Sequence, residues 1–287
     1  MKQTPPPDQN SKLIMKKSKF RQAAGFTLIE LIVVMVVVGI LSGIVAMFIR
    51  HPMDAYVTTS RRATLVDAGN TALQRITGEV QGALPNSLRV TVSGGITYLE
   101  FLPVQDGGRY RVDTTAAGSG DTLDFTSGSD ASFDVLGPLV TTADGQALVV
   151  YNLGTDADTD AWQGGNRRTV VSPFGSVSNL TFTATGTPFP LESPGNRFYL
   201  IGAPITYLCN PTSHQLLRVT GYALQATQPT SFGTATPRLL ASEVASCSLI
   251  YDAGAGQGLG QLTLRLQLTR DGETVTLYRE MAVNNDA

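Results

Sequence analysis

Hydrophobic residues follow three successive patterns along the 287-residue chain. From Phe26 to Ile49 runs an apolar stretch of about 24 residues in which Glu30 is the sole charge, long enough to cross a bilayer as a helix. Between Asp54 and Leu84, Leu65, Ala68, Ala72, Ile76, Val80 and Ala83 recur at steps of three and four, the period of one buried helical face. Pro85 ends that pattern, and Pro52 is expected to kink or interrupt the helix between its two halves. Beyond Pro85 the texture is β-like. Ser87–Val92 and Ile96–Leu102 flank Ser93-Gly94-Gly95 as a hairpin, and Ala147–Tyr151, Val177–Thr183, Arg197–Ile201 and Ile205–Cys209 read as further strands. In Gln261–Arg270, Leu262, Leu264, Leu266 and Leu268 alternate with Thr263, Arg265 and Gln267 before Asp271-Gly272 turns the chain into Glu273–Val283. Such alternation places one face in a core and one in water, and Asp-Gly pins an antiparallel pair. The expected fold class is α+β: a long N-terminal helix, membrane-spanning in its first half and amphipathic in its second, packed on a mostly antiparallel β domain.

Charge adds an orientation. Residues 1–25 carry a net charge of +5 and hold every lysine, leaving −7 on the rest. By the positive-inside rule the N-terminus stays cytoplasmic and the residues after Ile49 lie across the membrane. Met15-Lys16-Lys17 opens a compact basic leader by itself and is an alternative start. A carboxylate within an apolar span costs on the order of 2.5–3.5 kcal/mol at the bilayer centre, so Glu30 reads as functional. A secretory signal would have a shorter apolar stretch followed by a small-residue cleavage site, whereas Arg50-His51-Pro52-Met53 follows here. A plain signal anchor explains the length and basic flank but not Glu30 beside Gly25-Phe26.

A basic leader, Gly25-Phe26 and Glu30 four places after Phe26 together resemble the class III signal of type IV prepilins and type II secretion pseudopilins. The resemblance implies a leader, 1–25, removed after Gly25 by a prepilin peptidase that also methylates the new amine of Phe26. It implies an assembly helix, 26–49, in which Glu30 engages neighbouring subunits; a helix, 50–85, continuing into the soluble part; and a periplasmic β-rich domain, 86–287. Expected partners are the peptidase, other minor and major pilins through the N-terminal helix, and the inner membrane. In the span, Gly39 and Gly43 form a G-x-x-x-G that permits close helix approach, although glycine is common in such helices.

Cys209 and Cys247 are the only cysteines and fall in the domain assigned to an oxidising compartment, where a single pair is most simply a disulfide; two unpaired buried thiols are the alternative. Asp156, Asp158 and Asp160 could offer oxygen ligands to calcium. Ala161 stands where an EF-hand needs Gly, however, and Arg167 where it needs Glu, which favours a polar surface loop. Trp162, the sole tryptophan, either packs back onto the sheet or faces a partner. Catalytic residues are not identified: His214 is the one histidine away from the membrane flank, and no lysine follows the leader. No cofactor is implied. The mildly acidic exterior gives no basic stripe, so no nucleic-acid partner is expected.

Softer similarities run through the rest of the chain, in Arg75-Ile76, Ala83–Val90, Val149–Gly154, Tyr207-Leu208-Cys209 and Val244–Ser248. They resemble the minor prepilin-like proteins of the mannose-sensitive haemagglutinin (MSHA) pilus, and also the W-type minor pilins and J-type minor pseudopilins. That resemblance implies a structural and assembly role at a filament tip or in priming, without catalysis. A minor pseudopilin of a type II secretion system and a pilus-displayed adhesin are the competing readings.

Overall fold

The computed structural model describes residues 25–254 and 258–287, so expectations for the leader before Gly25 lie outside the described residues. Two compact units divide the chain between Tyr56 and Val57. The helix α1 is assigned from Leu28 to Gln81, so Pro52 does not end it. Its apolar part, Leu28–Phe48, is 21 residues with none of its length buried among the described residues. At about 1.5 Å per residue that is roughly 31 Å, the thickness of a hydrocarbon core.

The second unit holds the last turns of α1 and sixteen strands. They are β1 (Arg89–Ser93), β2 (Ile96–Phe101), β3 (Val104–Tyr110), β4 (Ser132–Leu136), β5 (Val140–Thr142), β6 (Ala147–Val150), β7 (Arg167–Thr169) and β8 (Gly175–Val177). There follow β9 (Asn179–Thr181), β10 (Arg197–Ile201), β11 (Ile205–Asn210), β12 (Gln215–Thr220), β13 (Arg238–Ser242), β14 (Val244–Asp252), β15 (Leu259–Arg270) and β16 (Glu273–Asn284). All named pairs are antiparallel, in sheets ordered β1-β2-β11-β12-β13, β7-β6-β10-β3-β4-β9 and β14-β15-β16, with a β5-β8 ribbon.

Both sequence hairpins form with two-residue turns. Ser93 faces Ile96 across Gly94-Gly95, and Arg270 faces Glu273 across Asp271-Gly272; φ is positive at all four turn residues, as a type I′ turn requires. Along β15, Leu262, Leu264, Leu266 and Leu268 are buried. They share a core with Leu65, Ala72, Leu73, Ile76 and Val80 of α1 and with Leu99, Phe101, Tyr207 and Leu216 from the β1–β13 sheet. Burying a leucine or isoleucine contributes about 1.5–3 kcal/mol, so this contact is what holds the end of α1 on the strands.

Three expectations need correction. Ala68 is exposed and Gly69 takes its place on the buried face, because the approach of Leu277 and Leu268 leaves no room for a side chain there. Ala83 is not helical: α1 stops at Gln81, and Ala83 bridges to Pro103. Val177–Thr183 is two strands rather than one, since β8 pairs with β5 while β9 pairs with β4, and the chain changes partner at Ser178.

Candidate functional site: the N-terminal segment and its supports

Thr27 starts α1. Its carbonyl accepts the amide of Leu31 at 3.2 Å and its hydroxyl accepts the amide of Glu30 at 3.3 Å, so it is the N-cap and Glu30 the third helical residue. The Thr-x-x-Glu spacing of a capping box is legible in the sequence as Thr27-Leu28-Ile29-Glu30, a signal the pattern reading above did not use. The Glu30 carboxylate thus sits in the first turn, where the positive end of the helix dipole favours a negative charge. Gly25 and Phe26 precede the helix and are exposed, and a side chain added at Gly25 would meet nothing within 4 Å. Gly39 and Gly43 are equally open: no atom lies within 4 Å of an added Cβ, which leaves a notch on the helix surface four residues long.

Residues 20–46 match the prokaryotic N-terminal methylation motif. The match supports a type IV prepilin-like class and marks the segment as a substrate for prepilin processing, with Gly25, Phe26 and Glu30 all inside it. An apolar helix bearing this motif fits a single-pass inner-membrane anchor. Comparison with curated proteins and with solved structures gives no match.

A disulfide and two charged clusters brace the β unit. Cys209 of β11 and Cys247 of β14 form a disulfide, with Cα atoms 6.5 Å apart, joining two sheets on either side of the same core. Glu79 of α1 receives Arg218 Nε of β12 at 2.8 and 3.2 Å and Arg75 Nε at 3.1 Å. Burial raises the Glu79 carboxyl, but the hydrogen bonds and charge of Arg218, with the further bond from Arg75, outweigh it and hold it below the ordinary carboxylate value. The same surroundings push the Tyr207 hydroxyl upward, chiefly by burial.

Glu100 of β2, whose side chain is wholly buried, accepts Arg89 Nε at 2.7 Å and the Tyr222 hydroxyl at 2.7 Å. Desolvation raises its carboxyl in spite of both donors. Arg89 also donates to the carbonyls of Gln225 and Ala226 and lies 3.6 Å over the Trp162 ring. Trp162 is 5% exposed and its indole N–H donates to the buried Ser87 carbonyl at 2.9 Å. It therefore packs against the strands.

In the aspartate loop, Asp156 and Asp160 accept bonds from the loop itself. Asp156 Oδ1 accepts the amides of Asp158 and Thr159 and the Thr159 hydroxyl, and Asp160 Oδ1 accepts the Trp162 amide. Hydrogen bonds from Thr159, led by its hydroxyl, hold the Asp156 carboxyl low. Among the described residues no group of three acidic, histidine or cysteine side chains converges as metal ligands.

Proposed function

We propose that this chain is a minor pilin or pseudopilin: a structural and assembly subunit inserted in the inner membrane, cut after Gly25, methylated at Phe26 and drawn into a filament through α1. The observation that carries the reading is the methylation motif laid over the start of an apolar helix long enough to cross a membrane. Such a helix is at rest in lipid or in a bundle of like helices. In the dry bundle the Glu30 carboxylate needs a cation or strong donor, and the freed amine of a neighbouring Phe26 would supply one. Gly39 and Gly43 would let two such helices approach closely. The β unit would then lie in the periplasm, where Cys209 and Cys247 oxidise. Within the class, the finer reading is an MSHA-type minor prepilin like MshO, placed at the tip or priming assembly. Its support is the soft similarity in Ala83–Val90, Val149–Gly154, Tyr207–Cys209 and Val244–Ser248.

The test is mass spectrometry of the N-terminus joined to complementation. The wild-type chain should begin at methylated Phe26, Gly25→Val should stay uncut, and Glu30→Val should be cut yet fail to restore filaments in a deletion strain. Normal filament numbers with Glu30→Val would remove Glu30 from the assembly argument. A Gly25→Val chain that still begins at methylated Phe26 would refute the processing site.

A further inference from the structure

β2 and β11 are hydrogen-bonded neighbours, Phe101 opposite Ile205, although the whole of β3–β10 lies between them in sequence. The excursion leaves and returns at one point. Val104 faces Ile201 in the β3–β10 pair, and the Gly202 amide donates to the Pro103 carbonyl at 3.2 Å. Every named pairing made by β3 to β10 is with another strand of that set. The two cores separate in the same way. One is built from α1, β1, β2 and β11–β16, with no member between Val104 and Ile201; the other, centred on Tyr110, Phe133, Phe182 and Phe198, lies wholly between them. The two meet at a seam, with Leu84 and Leu102 on one side and Val149, Ala161, Trp162 and Ile201 on the other, crossed by hydrogen bonds from Asn152 to the Pro85 carbonyl, from Asn86 to the Asn152 carbonyl and from Trp162 to the Ser87 carbonyl. Charge is segregated too. Of the net −7 after Gly25, −6 belongs to residues 104–201 and −1 to everything else.

We infer that Val104–Ile201 is a module inserted into a complete helix-bearing scaffold, that it folds around its own aromatic core, and that the scaffold assembles without it. The inference rests on the assembly function proposed above. A scaffold of net charge near zero can be stacked in many copies with little mutual repulsion, while the acidic charge is concentrated in the module, whose entry and exit strands, β3 and β10, pair with each other in the middle of its own sheet.

Two measurements test this. In the first, full-length protein is compared with a variant in which Pro103 is joined directly to Gly202. The variant should be cut to Phe26, should link Cys209 to Cys247, and should restore filament numbers to within about twofold of wild type. A wild type that enters filaments while the variant, disulfide intact, does not would overturn the inference, as would a variant that cannot form the disulfide. If wild type itself stays out of filaments, the assembly reading falls and separability is decided by the second measurement. There, hydrogen exchange of the intact chain carrying Phe133→Ala should quicken about tenfold or more in β4, β9 and β10 and leave the amides of Leu262–Leu268 unchanged. Equal quickening in β15 would show one cooperative unit and refute the separate module.

Discussion

The clamp between Glu79 and Arg218 gives the sharpest energetic prediction, because it fixes the end of α1 to the sheet through one charged pair. The side chains are 25% and 17% exposed, so the pair is neither a surface ion pair, worth about 0–1 kcal/mol, nor a fully buried one, whose breakage costs about 3–5 kcal/mol. A hydrogen bond to a charged group contributes about 1.5–3 kcal/mol. Some of that is offset by the desolvation that opposes Glu79 ionisation, leaving a coupling of about 2 kcal/mol. The assay is a double-mutant cycle of Glu79→Gln and Arg218→Met by urea denaturation of a fragment beginning at Met53, which keeps the face of α1 that packs on the strands. The sign of its pH dependence follows from the depressed carboxyl. The folded value lies below the ordinary 4.5, so the contribution is complete above 4.5 and is lost as pH falls through the folded value. The advantage of wild type over Glu79→Gln should therefore be largest at neutral pH and shrink as pH falls through the folded value, where a protonated glutamate and a glutamine are near-isosteres. A coupling below about 0.5 kcal/mol, or a difference that does not shrink on acidification, refutes the clamp.

Trp162→Phe keeps most of the ring but leaves the buried Ser87 carbonyl without its donor, so the same fragment should lose about 1–3 kcal/mol; an unchanged urea midpoint would mean that the indole N–H is not a structural bond. Millimolar calcium should leave the melting temperature unmoved, because the Asp156 and Asp160 oxygens already accept local donors; a site binding 100-fold below that concentration would add about 2.7 kcal/mol, and a rise of several degrees abolished by Asp158→Ala would reverse the assignment.

The parts of the fold that were legible in sequence are those with one wet face. β15 and β16 announce themselves because every second residue must be apolar and Asp271-Gly272 alone satisfies the turn. β14 does not, since the half-buried run Ala245–Ser248 replaces alternation with small and polar residues. β3 is hidden by Gly107-Gly108, which reads as a turn. Its glycines are there because a Cβ at Gly107 would come within 2.9 Å of the Phe198 carbonyl and one at Gly108 within 3.1 Å of the Phe198 ring. The three-residue strands β5, β7, β8 and β9 are too short to show any period.

The candidate site divides along a similar line. Gly25, Phe26 and Glu30 are legible because processing reads a contiguous segment, and a charge in an apolar run is visible without any knowledge of the fold. The contacts around Glu100 are not, because Tyr222 reaches it across 122 residues and nothing local distinguishes a strand glutamate that is wholly buried from one that faces water. The inserted module was hidden for the same reason. Its net charge of −6 is legible in the sequence, but what bounds it, Phe101 pairing with Ile205 beside Val104 pairing with Ile201, is a property of register that no single segment carries. Local pattern therefore reports which residues want a core, and only pairing reports that there are two cores to choose between.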